Sequence, residues 1–416
     1  MHSPHKADSR AWPEGGAFRI PSWVYSDPQV FEQEMARIHH GPTWNFVGLE
    51  CEVPDHGSWK RSSVGLRSVV ITRDRAGDIH VVENRCSHRA APICWETTGK
   101  STGLNCPYHQ WRFNLQGDLI GVPFENGLKG TGGMPADFDK AANGLRKLRC
   151  AVRGGAIFAT FSDEAPAFEA YAGERIVAAL DRIGSRGKLK VLGYSRHVHN
   201  ANWKMWLENA RDNYHATLLH TFLTAFKLVR ADLPPPRNAS WDGHTHGINF
   251  TLPENDDATV TSEASAQMVK LREDYNLNDW ETVGTDRFDY DDGKNIGFQL
   301  FPSLMYQPHL NVPSFRQIVP RKAGEHEVHW TFVGFEDDDE EMTRRRMKQA
   351  NLFGPAGFVT AEDGEVIVRS QPVVEADPSS VQILEMGLGG DPEAPTLITE
   401  AAIRSFYEHY RKIMDF

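Results

Sequence analysis

Two neighbouring stretches decide the reading of this chain: Cys86-Ser87-His88-Arg89, and then Cys106-Pro107-Tyr108-His109-Gln110-Trp111-Arg112-Phe113. Seventeen residues separate His88 from Cys106, so two loops each supply one cysteine and one histidine. Four such donors form a metal site, and their division between the loops selects the metal. Zinc accepts two thiolates and two imidazoles, but zinc-finger spacing normally pairs Cys with Cys and His with His. One of each per loop matches a two-iron, two-sulfur cluster of mixed ligation, with Cys86 and Cys106 on one iron and His88 and His109 on the other. Neutral imidazoles in place of two thiolates make such a cluster less negative and raise its potential. Trp111 gives an aromatic cover to a centre that depends on solvent exclusion; an ordinary core position is the alternative. Cys51, Cys94 and Cys150 lack such partners and read as free thiols.

Around these loops, from Trp44 to about Phe161, the sequence reads as short strands broken by turns: SVVITRD, the turn AGD, IHVVEN, and later AIFATF. Alternating β-branched residues between Gly and Asp punctuation predict half-buried antiparallel strands. The stretch before them, DPQVFEQEMARIHH, places Val30, Phe31, Met35 and Ile38 at helical spacing, with Asp27 as N-cap and Pro28 at the first helical position. That helix is expected to pack elsewhere in the fold. After Ser162 the pattern turns to a helix (ERIVAALDRI), a strand (KLKVLGYSRHVH), a further helix (NWKMWLENARDNYHATLLHTFLTAF) and then mixed elements. Residues 235 to 295 are polar and short of pattern, and read as a long surface excursion. The expected fold class is α+β: an all-β domain over residues 43–162, inserted near the N-terminus of a catalytic domain formed by 1–42 and 163–416, whose antiparallel sheet is flanked by helices.

Composition bounds the function. A chain of 416 residues with 40% hydrophobic and 24% charged residues can bury two sizeable cores. A net charge of -11 argues against nucleic acid as a partner. No run has the length of a membrane span, and the opening MHSPHKADSR lacks the apolar segment of a secretory signal, so a cytoplasmic protein without a membrane partner is expected. Five cysteines, an odd number thinly spread, fit a reducing compartment.

A second constellation follows. His215 closes the run Glu208-Asn209-Ala210-Arg211-Asp212-Asn213-Tyr214-His215, His220 follows it, and a distant carboxylate would complete the facial triad of a mononuclear Fe(II) site. On an ideal helix the two histidines would diverge by about 140 degrees, so a π-bulge or a helix end is required between them. The downstream segment FGPAGFVTAEDG offers two neighbouring acids, Glu362 and Asp363, and spacing does not choose between them. No strand followed by GxGxxG opens a helix, so a nicotinamide or flavin would sit on another polypeptide.

With these residues quoted, the chain resembles the α subunits of Rieske non-haem iron ring-hydroxylating oxygenases over nearly its full length. The segments CPYHQW, GDLIGVPFENG, GGMPADF, LKVLGY, NWKMWLEN, ANLFGPAGF, EDGEV and LEMG are similar to the subgroup of salicylate 5-hydroxylase, terephthalate dioxygenase and anthranilate 1,2-dioxygenase. The resemblance implies a Rieske [2Fe-2S] cluster and a mononuclear Fe(II) held by His215, His220 and Asp363. It implies that Asp212 hydrogen-bonds His215 and reaches the partner subunit's His109, and that Asn209 lies near the iron. It implies Arg316, in PSFRQIVP, as an anchor for a substrate carboxylate, with a structural salt bridge as the alternative. Leu219, Leu223 and Phe226 would line the ring site, with plain helical core as the alternative. Gln110 stands where many relatives have glycine, and Leu397 where the terephthalate enzymes carry an arginine, which favours a monocarboxylate.

The implied activity is hydroxylation of an aromatic monocarboxylic acid, salicylate to gentisate, with O2 as cosubstrate. Electrons would come from NAD(P)H through a separate reductase and ferredoxin. The implied assembly is a trimer of large subunits, often with three small β subunits. Two alternatives stand beside it: a cis-dihydroxylating dioxygenase on anthranilate, a halobenzoate or terephthalate, and a Rieske electron-transfer protein without oxygenase chemistry.

Overall fold

Strand periodicity organises the N-terminal part. In the strand Arg67–Arg73, Val69 and Ile71 enter one apolar cluster with Val47, Val81 and Ile157, whereas Val70 enters another with Cys86, Cys106, Trp111 and Phe113. Successive side chains of a strand point to opposite faces, so one face of the sheet is core and the other seats the two Cys–His loops. The computed structural model describes residues 11–212, 214–226, 238–241, 245–250, 275, 279–284, 287, 289–292, 295–390 and 398–416. Its first sheet has seven antiparallel strands in the order Asn45–Leu49, Ala156–Thr160, Lys147–Arg153, Ile79–Glu83, Arg67–Arg73, Ser58–Val64, Thr98–Lys100. A three-stranded sheet, Leu104–Asn105, Arg112–Phe113 and Leu119–Gly121, carries the second loop.

The C-terminal part is built on another seven-stranded antiparallel sheet, in the order Leu189–His199, Glu325–Phe335, Val312–Lys322, Leu304–His309, Asn295–Leu300, Thr245–Phe250, Asn238–Trp241. Its long strands feed two cores. Val328 and Trp330 pack with Trp203, Trp206, Phe406 and Tyr407, while Phe315, Val333 and Phe335 pack with Phe46, Phe158 and Phe168. The second of these cores joins the sheet to strands of the first. The N-terminal helix Pro28–Glu34 has Asp27 as its cap, the carboxylate accepting from the Gln29 amide at 2.7 Å, and Pro28 opens it. Val30, Phe31 and Met35 join Trp203 and Tyr410 in the C-terminal core, so this helix does pack away from the strands that follow it.

Two expectations are corrected. The polar stretch 235 to 295 is not solely a surface excursion: Asn238–Trp241 and Thr245–Phe250 are strands of the large sheet, and Asp289 is buried in an ion pair with Arg346 at 2.6 Å. The helix read across 202–226 is broken into Trp203–Asn209, Ala216–Leu219 and Thr221–Ala225. Among the described residues no helix is long and apolar enough to cross a membrane.

Candidate metal centres

The two Cys–His loops are built alike. The Cys86 amide donates to the Ala91 carbonyl and the Ala90 amide to the Cys86 carbonyl; the Cys106 amide donates to the Trp111 carbonyl and the Gln110 amide to the Cys106 carbonyl. Each turn closes through a left-handed residue, Ala90 at φ 60° and Gln110 at φ 58°. That conformation costs a side-chain-bearing residue roughly 1 kcal/mol, which is a physical reason for glycine at the second position in a loop of this shape. Asn84 holds the first loop from beneath, its Oδ1 accepting from the Ile93 and Cys94 amides and its Nδ2 donating to the Cys94 carbonyl.

Cys86 and Cys106 are buried and the two histidines lie nearer the surface, ring centroids 4.6 Å apart. Trp111 stacks on His88 at 4.7 Å and 6°, so it both joins the core and covers the His88 imidazole. Burial pushes the Cys86 thiol up from its ordinary value. Among the described residues, only His215, His220 and Asp363 bring three donors within 4.8 Å of one another. The Cys–His quartet is therefore spread wider than one ion spans, as a two-iron cluster with thiolates on one side and imidazoles on the other requires. Cys51, Cys94 and Cys150 are free thiols.

The second centre follows from a helix that stops. His215 caps the turn Ala216–Leu219 and His220 leaves helical geometry at φ -75°, ψ 81°. The helix end brings together two side chains that a continuous helix would splay, with rings 5.1 Å apart. Both Nε2 atoms lie 3.4 Å from Oδ1 of Asp363, on the helix Phe358–Ala376. Both Nδ1 atoms face other carboxylates: His215 that of Asp212 and His220 that of Glu362, each at 3.1 Å. Asn209 Nδ2 donates to Asp363 Oδ1 at 3.1 Å. A carboxylate can only accept, so each Nδ1 bears a proton, and a metal ion taking the place of any proton between Nε2 and Asp363 would meet the Nε2 lone pairs. Burial alone would lower the His215 pKa, but the hydrogen bonds of Asp212 and Asp363 outweigh it and lift it to about 9. Burial lowers that of His220. Two imidazole nitrogens and one carboxylate converging from one side fit a facial Fe(II) site.

Arg316 lies buried on the strand Val312–Lys322, and among the described residues no carboxylate forms an ion pair with it. Its guanidinium lies 3.8 Å from the Trp330 ring, and it donates to Ser314 Oγ at 3.2 Å and to His309 Nδ1 at 3.2 Å. Burial brings its pKa down to about 9, against the pull of Asp363. His309 in turn stacks on Phe353 at 4.7 Å and 1°. Leu223 is buried with Val283, Leu352, Phe353 and Val359, while Phe226 packs on Phe222 at 5.0 Å and Leu219 is half-buried. Leu397 lies outside the described residues. Sequence reasoning missed Glu362 as the partner of His220 and His309 as the partner of Arg316.

Residues 187–415 match the ring hydroxylating alpha subunit (catalytic domain) family, and residues 43–131 match the Rieske [2Fe-2S] domain. The chain belongs to the ring-hydroxylating α-subunit family. It is 40% identical to the large oxygenase component of salicylate 5-hydroxylase from Ralstonia sp, over 97% of this chain and 96% of that protein. It is 37% identical to the anthranilate 1,2-dioxygenase large subunit of Burkholderia cepacia, over 100% of this chain and 96% of that one. Its fold matches the crystal structure of naphthalene 1,2-dioxygenase from Rhodococcus sp. at a TM-score of 0.77 and 23% identity, covering 95% of this chain and 94% of that one. The architecture is thus α+β, a Rieske domain near the N-terminus joined to a catalytic domain whose antiparallel sheet is flanked by helices. The protein is an oxygenase subunit that uses a Rieske cluster, a mononuclear iron and O2, with electrons delivered by partner proteins.

Proposed function

We propose that this α subunit hydroxylates an aromatic monocarboxylic acid, converting salicylate to gentisate. In this reading the Rieske domain spans 43–162 and the catalytic domain 1–42 with 163–416. Cys86, His88, Cys106 and His109 hold the cluster, and His215, His220 and Asp363 hold the iron. The observation that carries the substrate class is Arg316, a buried guanidinium with no carboxylate partner among the described residues, close enough to Asp363 to feel its charge. A planar two-pronged donor of this kind is matched by a carboxylate. Trp330 and Ser314 fix its direction, and the apolar wall of Phe353 and Leu223 supplies the surface against which a ring can lie.

When bound, the iron supplies the activation of dioxygen and the cluster the electrons for it. The protein's own residues do the rest. Asp212 and Glu362 keep the two imidazoles in the tautomer that presents Nε2, and Asn209 orients Asp363 through its amide. Arg316 would hold the acid so that the ring carbon to be hydroxylated, and not the carboxylate, faces the three donors. Salicylate, O2, two electrons and two protons then yield gentisate and water. The reading also includes a separate NAD(P)H reductase and ferredoxin, a trimer of α subunits with small β subunits in which Asp212 meets the partner's His109, and a cytoplasmic setting. A cis-dihydroxylating dioxygenase on anthranilate is the second reading, favoured by the 37% identity over the whole chain. The convergence of His215, His220 and Asp363 speaks against a bare electron carrier.

The test is product identification with a surrogate ferredoxin and reductase, offering salicylate, anthranilate, benzoate and terephthalate in turn. Gentisate from salicylate is expected, while catechol from anthranilate or a diol from another acid would overturn the substrate assignment. Arg316→Leu is expected to raise KM for the acid roughly 10- to 100-fold, the loss of a charged hydrogen-bonded pair; an unchanged KM would remove the anchor.

A further inference from the structure

We infer that Glu362 is a positioning residue for the iron site, acting through His220. This rests on the assignment of His215, His220 and Asp363 as the metal-holding set. Glu362 and Asp363 are adjacent on the first turns of the helix Phe358–Ala376, yet their carboxylates serve opposite sides of the same imidazole. Asp363 Oδ1 lies 3.4 Å from His220 Nε2, and Glu362 Oε2 lies 3.1 Å from His220 Nδ1. His220 is itself 4% exposed, whereas the Glu362 side chain is 29% exposed. Its carboxylate therefore reaches solvent while its Oε2 clamps a buried ring.

The clamp answers a local weakness. His220 sits beyond the end of the turn Ala216–Leu219, at ψ 81°, so no helical backbone fixes the direction of its side chain. His215, on the same turn, has Asp212 three residues before it, and that partner comes from its own segment. His220 has no equivalent in its own segment among the hydrogen bonds described, and takes its carboxylate from 142 residues downstream. The two histidines are thus held symmetrically, one by a local acid and one by a distant acid. Glu362 ties the rotation of the His220 ring to the same helix that delivers Asp363. An imidazole so held keeps its proton on Nδ1, leaves Nε2 as the donor atom, and is a more basic ligand.

The experiment uses the full α subunit with its cluster intact. The mononuclear site is emptied anaerobically with a chelator and titrated with Fe(II) or Co(II), and the release of metal to a competing chelator is followed. The cluster's visible absorbance reports that the chain remains folded. Glu362→Met, which keeps the chain length without an acceptor oxygen, is expected to weaken metal binding about 10- to 100-fold and to shift the Co(II) ligand-field bands. Glu362→Gln, which keeps an oxygen able to accept from Nδ1, is expected to bind close to wild type. Wild-type binding in Glu362→Met would overturn the inference. So would a Gln variant as weak as the Met variant, which would make Glu362 a charge or direct ligand instead of a hydrogen-bond acceptor. Asp363→Ala serves as the reference: loss of metal there with no effect in Glu362→Met defeats only the role of Glu362, whereas no loss in Asp363→Ala defeats the site assignment itself.

Discussion

Glu208 shows how a single residue near the iron segment is bound to its surroundings. Its buried carboxyl accepts hydrogen bonds from the hydroxyls of Tyr25, at 3.1 Å, and Tyr407. Burial raises its pKa from the ordinary 4.5 to about 7, against those hydrogen bonds and the nearby charges of Lys204 and Arg211. The folded chain thus holds this proton more tightly than the unfolded chain does. The resulting stability is fully present below pH 4.5 and is lost as pH rises through about 7. Glu208→Gln removes that loss, so its Tm relative to wild type is expected to climb between pH 5 and pH 8. A difference in Tm that does not change with pH would contradict the assignment.

At the scale of elements, the helix Phe358–Ala376 meets the two site histidines through Glu362 and Asp363 and packs on His199 at the next residue, Gly364. A Cβ on Gly364 would lie 3.0 Å from His199 Nε2, and the His199 ring is held between Trp206, at 4.8 Å, and His326, at 4.9 Å. Gly364→Ala should gain about 1 kcal/mol in helix propensity but lose more to overpacking. A net loss on the order of 1 kcal/mol is expected as a lower Tm, and a higher Tm would contradict it. The cluster loops were legible in the sequence because each brings its two donors together within a few residues, and the strands because β-branched runs such as Val69, Val70 and Ile71 lie between turn residues. The five-residue spacing of His215 and His220 made a break between them legible, but the earlier break after Asn209 was not: no Gly or Pro marks it between Asn202 and Phe226. The strands Asn238–Trp241 and Thr245–Phe250 were hidden by polar composition, which argued for a loop although the sheet extends through them. The partnership of Glu362 with His220 crosses 142 residues, a separation on which local patterns carry no information.

Across the whole molecule, burial holds several histidines neutral. His39 is lowered from 6.5 to about 3, and His40 and His326 to about 4, in each case chiefly by desolvation. Depressed folded-state values mean stability that is present above pH 6.5 and lost as pH falls toward 3 to 4. The Tm is accordingly expected to fall between pH 7 and pH 5, and a flat profile over that range would contradict it. His39 packs on Trp203 and His326 on Trp206 in the core that joins the N-terminal helix to the large sheet, whereas His40 meets Val64 and Phe161 in a core of the first sheet, so acid should loosen both parts. The central claim is that one chain carries both an iron–sulfur cluster and a separate iron. It is tested most directly by iron and acid-labile sulfide analysis of the anaerobically purified, fully loaded protein beside its Asp363→Ala variant. Wild type should hold the two irons and two sulfides of the cluster plus one further iron, and the variant should lose only that last iron while its cluster absorbance is unchanged. Cluster iron alone in the wild type, or the extra iron retained in the variant, would contradict the account.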